Sequence, residues 1–146
     1  IAIDPEDLTK PEEAAEFVKE TGVDLLAPAV GNMHGILIST DGSGKISPVK
    51  KRLNIERIAA IKNAVNVPLV LHGGSETADE DFTAAINAGI SIIHINTEIR
   101  LAWKNALERS LLQNKDEIAP YKILSLAVEE IKKVVKARLK LFNKLR

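Results

Sequence analysis

Three histidines are the residues of this chain whose placement speaks of chemistry. His34 lies at the end of Val23–Gly35, VDLLAPAVGNMHG. His72 follows the apolar run in Val67–Ser75, VPLVLHGGS. His94 lies within Ile90–Thr97, ISIIHINT, ahead of Asn96 and Thr97. A continuous apolar run reads as a strand buried on both faces, the kind that parallel sheets use. In such sheets and barrels, functional groups collect where strands leave at their carboxyl ends. Each histidine alone is more simply a hydrogen-bonded structural residue. All three at successive strand ends favour at least two of them sharing one mouth, where imidazoles are ready ligands for a metal such as Zn²⁺.

The glycines beside the histidines suggest a second chemistry. His72-Gly73-Gly74-Ser75 stands between a strand and a helix start. Backbone without side chains lets N–H groups approach an anion, and a helix N-terminus adds a favourable dipole. His94–Thr97 again sets polar groups between a strand and a helix, and GNMHG at 31–35 is a third such turn. The simpler alternatives are a tight turn at Gly73-Gly74, cap roles for Ser75 and Thr97, and an Asx-turn at Asn32.

The elements that must position these groups follow from the order of patterns. Thr9-Lys10-Pro11-Glu12 has a capping threonine, a first-turn proline and a glutamate three residues on, and predicts a helix over 11–21 ended by Gly22. A strand over 23–30 follows, then a long loop over 31–51 rich in turn residues. A helix is expected over 53–64 and a strand over 67–71. Thr77–Glu80 is a second capping box, opening a helix over 78–87. A strand over 90–95, a helix over 98–113, a break at 114–120 and a long helix over 121–145 complete the chain. The basic residues of that last helix read as a solvated face, and Trp103 and Phe142 as packing residues. Strands separated by single helices mean right-handed crossovers and a parallel sheet. Three strands cannot close a barrel, which takes eight over about 250 residues. The first residue is Ile1 rather than methionine, so the expectation is the C-terminal part of one larger domain.

Composition narrows the function classes. The 146 residues are 45% hydrophobic and 27% charged, as in globular domains. Twenty basic and twenty acidic residues give a formal net charge of zero, so no electrostatic case exists for nucleic acid or a membrane surface. No run of 18 apolar residues and no leader pattern is visible. Cysteine is absent, so a transition-metal site must use His with Asp or Glu.

Several stretches resemble one family in the same order. They are PEEAAEFVKETGVDLLAPAVGNMHG, KKRLNIERI, VPLVLHGGS, the strand end INTEIR, and NKDEIAPYK before a long basic helix. Together they resemble the C-terminal half of the class II, metal-dependent ketose-bisphosphate aldolases, the fructose- and tagatose-bisphosphate group. The resemblance implies an α/β fold, the C-terminal part of a (β/α)₈ barrel, with residues 1–146 supplying about three parallel strands. It implies a cytoplasmic homodimeric or homotetrameric lyase, with a phosphorylated ketose as its small-molecule partner. It makes His34 and His72 ligands of a catalytic Zn²⁺. Gly35, Gly73 and Ser75 match positions that bind substrate phosphate or an accompanying monovalent cation, and Gly74 belongs to the same turn. Asn96 and Thr97 match the polar strand end that holds the phosphate-bearing half of the substrate. Two departures stand out. Glu76 replaces the last glycine of HGGSG, and His94 replaces an asparagine, which moves His94 from metal ligand to substrate hydrogen-bond donor. The third zinc histidine and the proton-transfer aspartate have no counterpart here and are expected upstream, so the segment alone is expected to be inactive. A non-catalytic half-barrel that dimerises, and a member with altered substrate, remain open.

Overall fold

A computed structural model describes residues 5–33, 38–40, 46–48 and 50–143, with backbone alone at 5, 38–40 and 46–48. The chain forms two compact units, Ile1–Ile95 and Asn96–Arg146.

In the first unit a 3-10 turn, Pro5–Asp7, precedes α1, Pro11–Thr21. The expected helix bounds hold, but the cap sits one residue later. Lys10 is the N-cap, and its N–H donates to the Glu13 carboxylate at 3.3 Å. Thr9 is drawn elsewhere, since its Oγ1 accepts the Ala29 N–H at 2.8 Å. Ala14 is the buried residue of this helix, while Phe17 is half exposed.

The expected strand over 23–30 reduces to one bridge. Leu26 pairs parallel with Leu69, through Leu26 N–H to Pro68 O at 3.1 Å and Val70 N–H to Leu26 O at 2.8 Å. Pro28 has no N–H with which to extend the ladder. From there the backbone turns to other partners: Thr9 N–H to Ala29 O at 2.9 Å, and Asn54 N–H to Val30 O at 2.9 Å. The expected loop over 31–51 also differs. Within it β1, Ile38–Thr40, pairs antiparallel with β2, Ile46–Pro48.

Helix α2, Ile55–Ala64, starts at Asn54, whose side chain accepts the Arg57 N–H at 2.9 Å. Strand β3, Leu69–Leu71, runs parallel to β4, Ile90–Ile93, and is joined to it by α3, Asp79–Ala88. Thus β3 lies between the Leu26 segment and β4, the parallel arrangement that the single-helix connections require. Its three residues are buried, as a two-faced strand must be. Val30, Ile58, Ile61 and Phe82 are likewise essentially inaccessible.

The second unit is helical. It consists of α4, Thr97–Gln113, α5, Pro120–Ile123, and α6, Ser125–Phe142. The single long helix expected over 121–145 is interrupted at Leu124. The hydroxyl of Ser110 donates to Ile123 O at 2.7 Å and fixes the break. Arg138, expected on a solvated basic face, instead turns inward. Its guanidinium grips Glu98 through two bonds of 2.7 Å, with both side chains mostly covered. Trp103, expected to pack, is 43% exposed.

Candidate functional site

The chemistry-bearing residues of the first unit gather at the carboxyl end of β3. Leaving the sheet at Leu71, the chain passes through His72 and turns at Gly73, whose φ of 63° is left-handed. Gly74 is packed tightly. A Cβ there would stand 3.2 Å from Ile95 Cδ1 and 3.3 Å from both His94 O and Phe82 Cε1. Its own N–H donates to His94 O at 3.4 Å. The absence of a side chain at Gly74 therefore serves the approach of the β4 end to this turn.

His94 leaves β4 beside His72. Its N–H donates to Leu71 O at 2.9 Å, continuing the β3–β4 pairing beyond the strands. The two imidazoles meet edge to face, with centroids 4.4 Å apart and Nδ1 atoms 3.3 Å apart. That spacing suits a hydrogen bond in which one ring donates and the other accepts. It also suits a shared metal. Two nitrogens bound tetrahedrally to one Zn²⁺ at about 2.0–2.1 Å stand about 3.3 Å apart. Among the described residues no group of three His, Cys, Asp or Glu converges on one point. His34 and Gly35 lie outside the described residues.

The turn that leads to His34 is nevertheless brought to His72. Asn32 folds back so that its Oδ1 accepts the Val30 N–H at 2.8 Å, while its amide donates to His72 O at 3.1 Å. Asn32 is thus both the local turn residue and a clip between two strand ends. Gly31 makes this possible, with a φ of 100° and a position where a Cβ would sit 2.5 Å from Arg52 O.

Beyond Gly74 lie Ser75, buried, and Glu76, a non-glycine residue with φ 65°. Glu76 therefore adopts the backbone conformation natural to the glycine that HGGSG would place there. A left-handed conformation costs an ordinary residue about 1–2 kcal/mol. Its carboxylate lies 3.9 Å from Lys50 Nζ. Thr77 does not cap α3, whose N-cap is Ala78. The Thr77 hydroxyl is fully buried and has no partner among the described residues.

Lys51 carried no functional expectation. It is 2% exposed. Its Nζ donates to Met33 O at 2.5 Å and to Gly73 O at 3.4 Å, reaching both turns. Burial pushes its pKa below the usual lysine value, and the Glu76 carboxylate opposes that shift. The backbone around it is held firmly. Lys51 N–H donates to Glu76 O at 3.0 Å, and Lys51 bridges to Thr77. Next door, Asp81 accepts Arg52 through two bonds of 2.9 Å and the Leu53 N–H at 2.8 Å. Asp81 is thus a buried anchor for the segment that carries Lys51.

Asn96 and Thr97 belong to the second unit. Asn96 is the N-cap of α4 and accepts the Arg100 N–H at 3.0 Å through its carbonyl, and Thr97 is the first helical residue.

Among solved structures, the chain is similar to the YdjI aldolase from Escherichia coli K12, at 34% identity and a TM-score of 0.69, covering 92% of this chain and 44% of that one. A putative fructose-1,6-biphosphate aldolase from Coccidioides immitis is 28% identical with the same TM-score, over 93% of this chain and 43% of that one. The fold is shared with the fructose-bisphosphate aldolase of Campylobacter jejuni, 21% identical with a TM-score of 0.68. The chain spans less than half the length of these structures. The family model for class-II fructose-bisphosphate aldolase matches residues 2–145, and the chain belongs to that family.

Proposed function

We propose that the whole protein is a zinc-dependent lyase that reversibly cleaves a ketose 1,6-bisphosphate to dihydroxyacetone phosphate and glyceraldehyde 3-phosphate. In this reading residues 1–146 form the C-terminal part of a (β/α)₈ barrel. The observation that supports it best is the family match across nearly the whole chain, together with His72 at the β3 end beside His94. His34 and His72 are the two metal ligands of this segment. The metal supplies Lewis acidity to the carbonyl and hydroxyl oxygens of the ketose.

The other residues bind and orient. His72 meets the ring of His94 through Nδ1, and in this reading His94 orients that imidazole and offers a hydrogen bond to substrate. Gly35, Gly73 and Ser75 shape the turns that receive a phosphate, and Gly74 keeps the β4 end close enough for that turn to form. Asn96 and Thr97, at the start of α4, contribute to holding the phosphate-bearing half. Placing charge and reacting carbons in this way removes much of the entropic barrier. The proton-transfer group is the aspartate expected upstream.

The test is release of dihydroxyacetone phosphate from fructose 1,6-bisphosphate and from tagatose 1,6-bisphosphate by the whole protein, with and without chelator. Cleavage that chelator abolishes and Zn²⁺ restores is expected, and residues 1–146 alone are expected to release none. Cleavage indifferent to chelator would sink the metal mechanism.

A further inference from the structure

Carbonyl oxygens from two separate turns converge on a single charged donor. Met33 O and Gly73 O both accept from the one ammonium of Lys51, a side chain almost wholly removed from solvent. Backbone carbonyls grouped in this way form the environment that proteins use to bind monovalent cations. An ammonium is a compact point charge with three donors, and it fits such a site. Desolvating it carries a cost that only good partners offset. Met33 O and Gly73 O are such partners, and the backbone at 51–53 is clipped to Glu76, Thr77 and Asp81, which anchors the base of the side chain.

We propose that Lys51 is a positioning residue whose ammonium serves as a tethered monovalent cation, joining the turn before His34 to the turn after His72. The sequence resemblance matches Gly35, Gly73 and Ser75 to positions that bind substrate phosphate or an accompanying monovalent cation, and of these two ligands the ammonium stands in for the cation. The protein therefore needs no added potassium or sodium to hold these turns. The structural half of this proposal is independent of the catalytic reading. Its consequence for turnover rests on that reading.

The experiment is thermal unfolding of the whole protein in potassium, sodium, ammonium or tetramethylammonium chloride at matched ionic strength. Wild type is expected to melt at the same temperature in all four. Lys51→Ala is expected to melt lower in tetramethylammonium by roughly 5 °C, and to recover part of that loss in potassium or ammonium, which fit the vacated site. A general loss of packing would not respond to the identity of the cation. Lys51→Met, which keeps the apolar stem and drops the charge, carries the same titration if Lys51→Ala does not fold. If neither variant folds, the wild-type titration decides. A variant blind to cation identity, or a wild type that gains stability in potassium over tetramethylammonium, overturns the proposal. Steady-state cleavage assays in the same salts separate the two readings. Absent aldolase activity with the melting pattern intact would reject the catalytic assignment and leave the tethered cation standing.

Discussion

The two units of the chain treat their apolar residues in opposite ways. In the first, the large side chains of Phe82, Ile58, Ile61, Leu69, Leu71 and Val30 are sealed. In the second, what is buried is small: Ala106, Ala127 and Ser110. Its larger apolar residues are half-buried or exposed, with Leu112 70% and Ile118 90% exposed. The difference teaches that a hydrophobic stripe yields stability only in proportion to what covers it, at about 25 cal/mol per Å² buried. In the first unit α1 packs on α2, α2 on α3, and α3 on the strand β4. The second pairs α4 with α6 and relies more on polar ties, the Glu98–Arg138 pair and the Ser110–Ile123 bond.

The contrast is broken most directly by truncation. Phe82→Ala is expected to cost about 3–5 kcal/mol, because a sealed aromatic leaves a cavity that its neighbours cannot fill. Leu112→Ala is expected to cost under about 0.5 kcal/mol, as an exposed substitution. Urea unfolding of the two variants measures both. Equal losses would show that the helical unit buries more than this arrangement provides.

The polar ties supply the next test. Removing Glu98 leaves the Arg138 guanidinium covered without its counter-charge, and Glu98→Ala is expected to cost about 1–3 kcal/mol. Replacing both partners, as Glu98→Leu with Arg138→Met, is expected to be close to neutral, because no charge is then left unpaired. A double variant as unstable as the single one would mean that the pair itself, rather than the stranded cation, carries the stability. Denaturation midpoints at constant slope decide between the two.

Legibility in the sequence followed the locality of the cause. The bounds of α1 were readable because proline, glutamate and glycine act within one turn. The cap was misplaced by one because Thr9 bonds to Ala29, twenty residues away, which no local rule reveals. Pro28 was visible in the strand at 23–30, and its missing donor was the signal that the ladder would stop. The antiparallel pairing of 38–40 with 46–48 was hidden because the segment's glycines and proline suit a loop equally well. At the site, His72, His94 and the Gly73-Gly74 turn were legible from their place after apolar runs. Glu76 was legible as a departure, and its φ of 65° gives that departure a backbone meaning. Lys51 was not legible. In the run Lys50-Lys51-Arg52 every residue looks solvated, and only the alternation of covered Lys51 and Leu53 with exposed Lys50 and Arg52 distinguishes it.

The smallest expected effect sharpens the same contrast from the polar side. Glu117 accepts Lys122 Nζ at 2.7 Å and the backbone N–H groups of Ile118 and Ala119 at 3.1 Å, at the entry to α5. The Lys122 bond, and after it the backbone N–H of Ala119, hold its carboxyl below the ordinary value of 4.5. The unfolded chain therefore takes up a proton at a higher pH than the folded one. The contribution of Glu117 is fully present above pH 4.5 and is lost as the pH falls through the folded value. Glu117→Gln cannot make this pair at any pH. The melting temperatures of wild type and Glu117→Gln should differ at pH 6 and converge toward pH 3, while screening keeps the gap small at this exposed site. A gap that stays constant between those two pH values would show that the Glu117–Lys122 pair contributes nothing to stability.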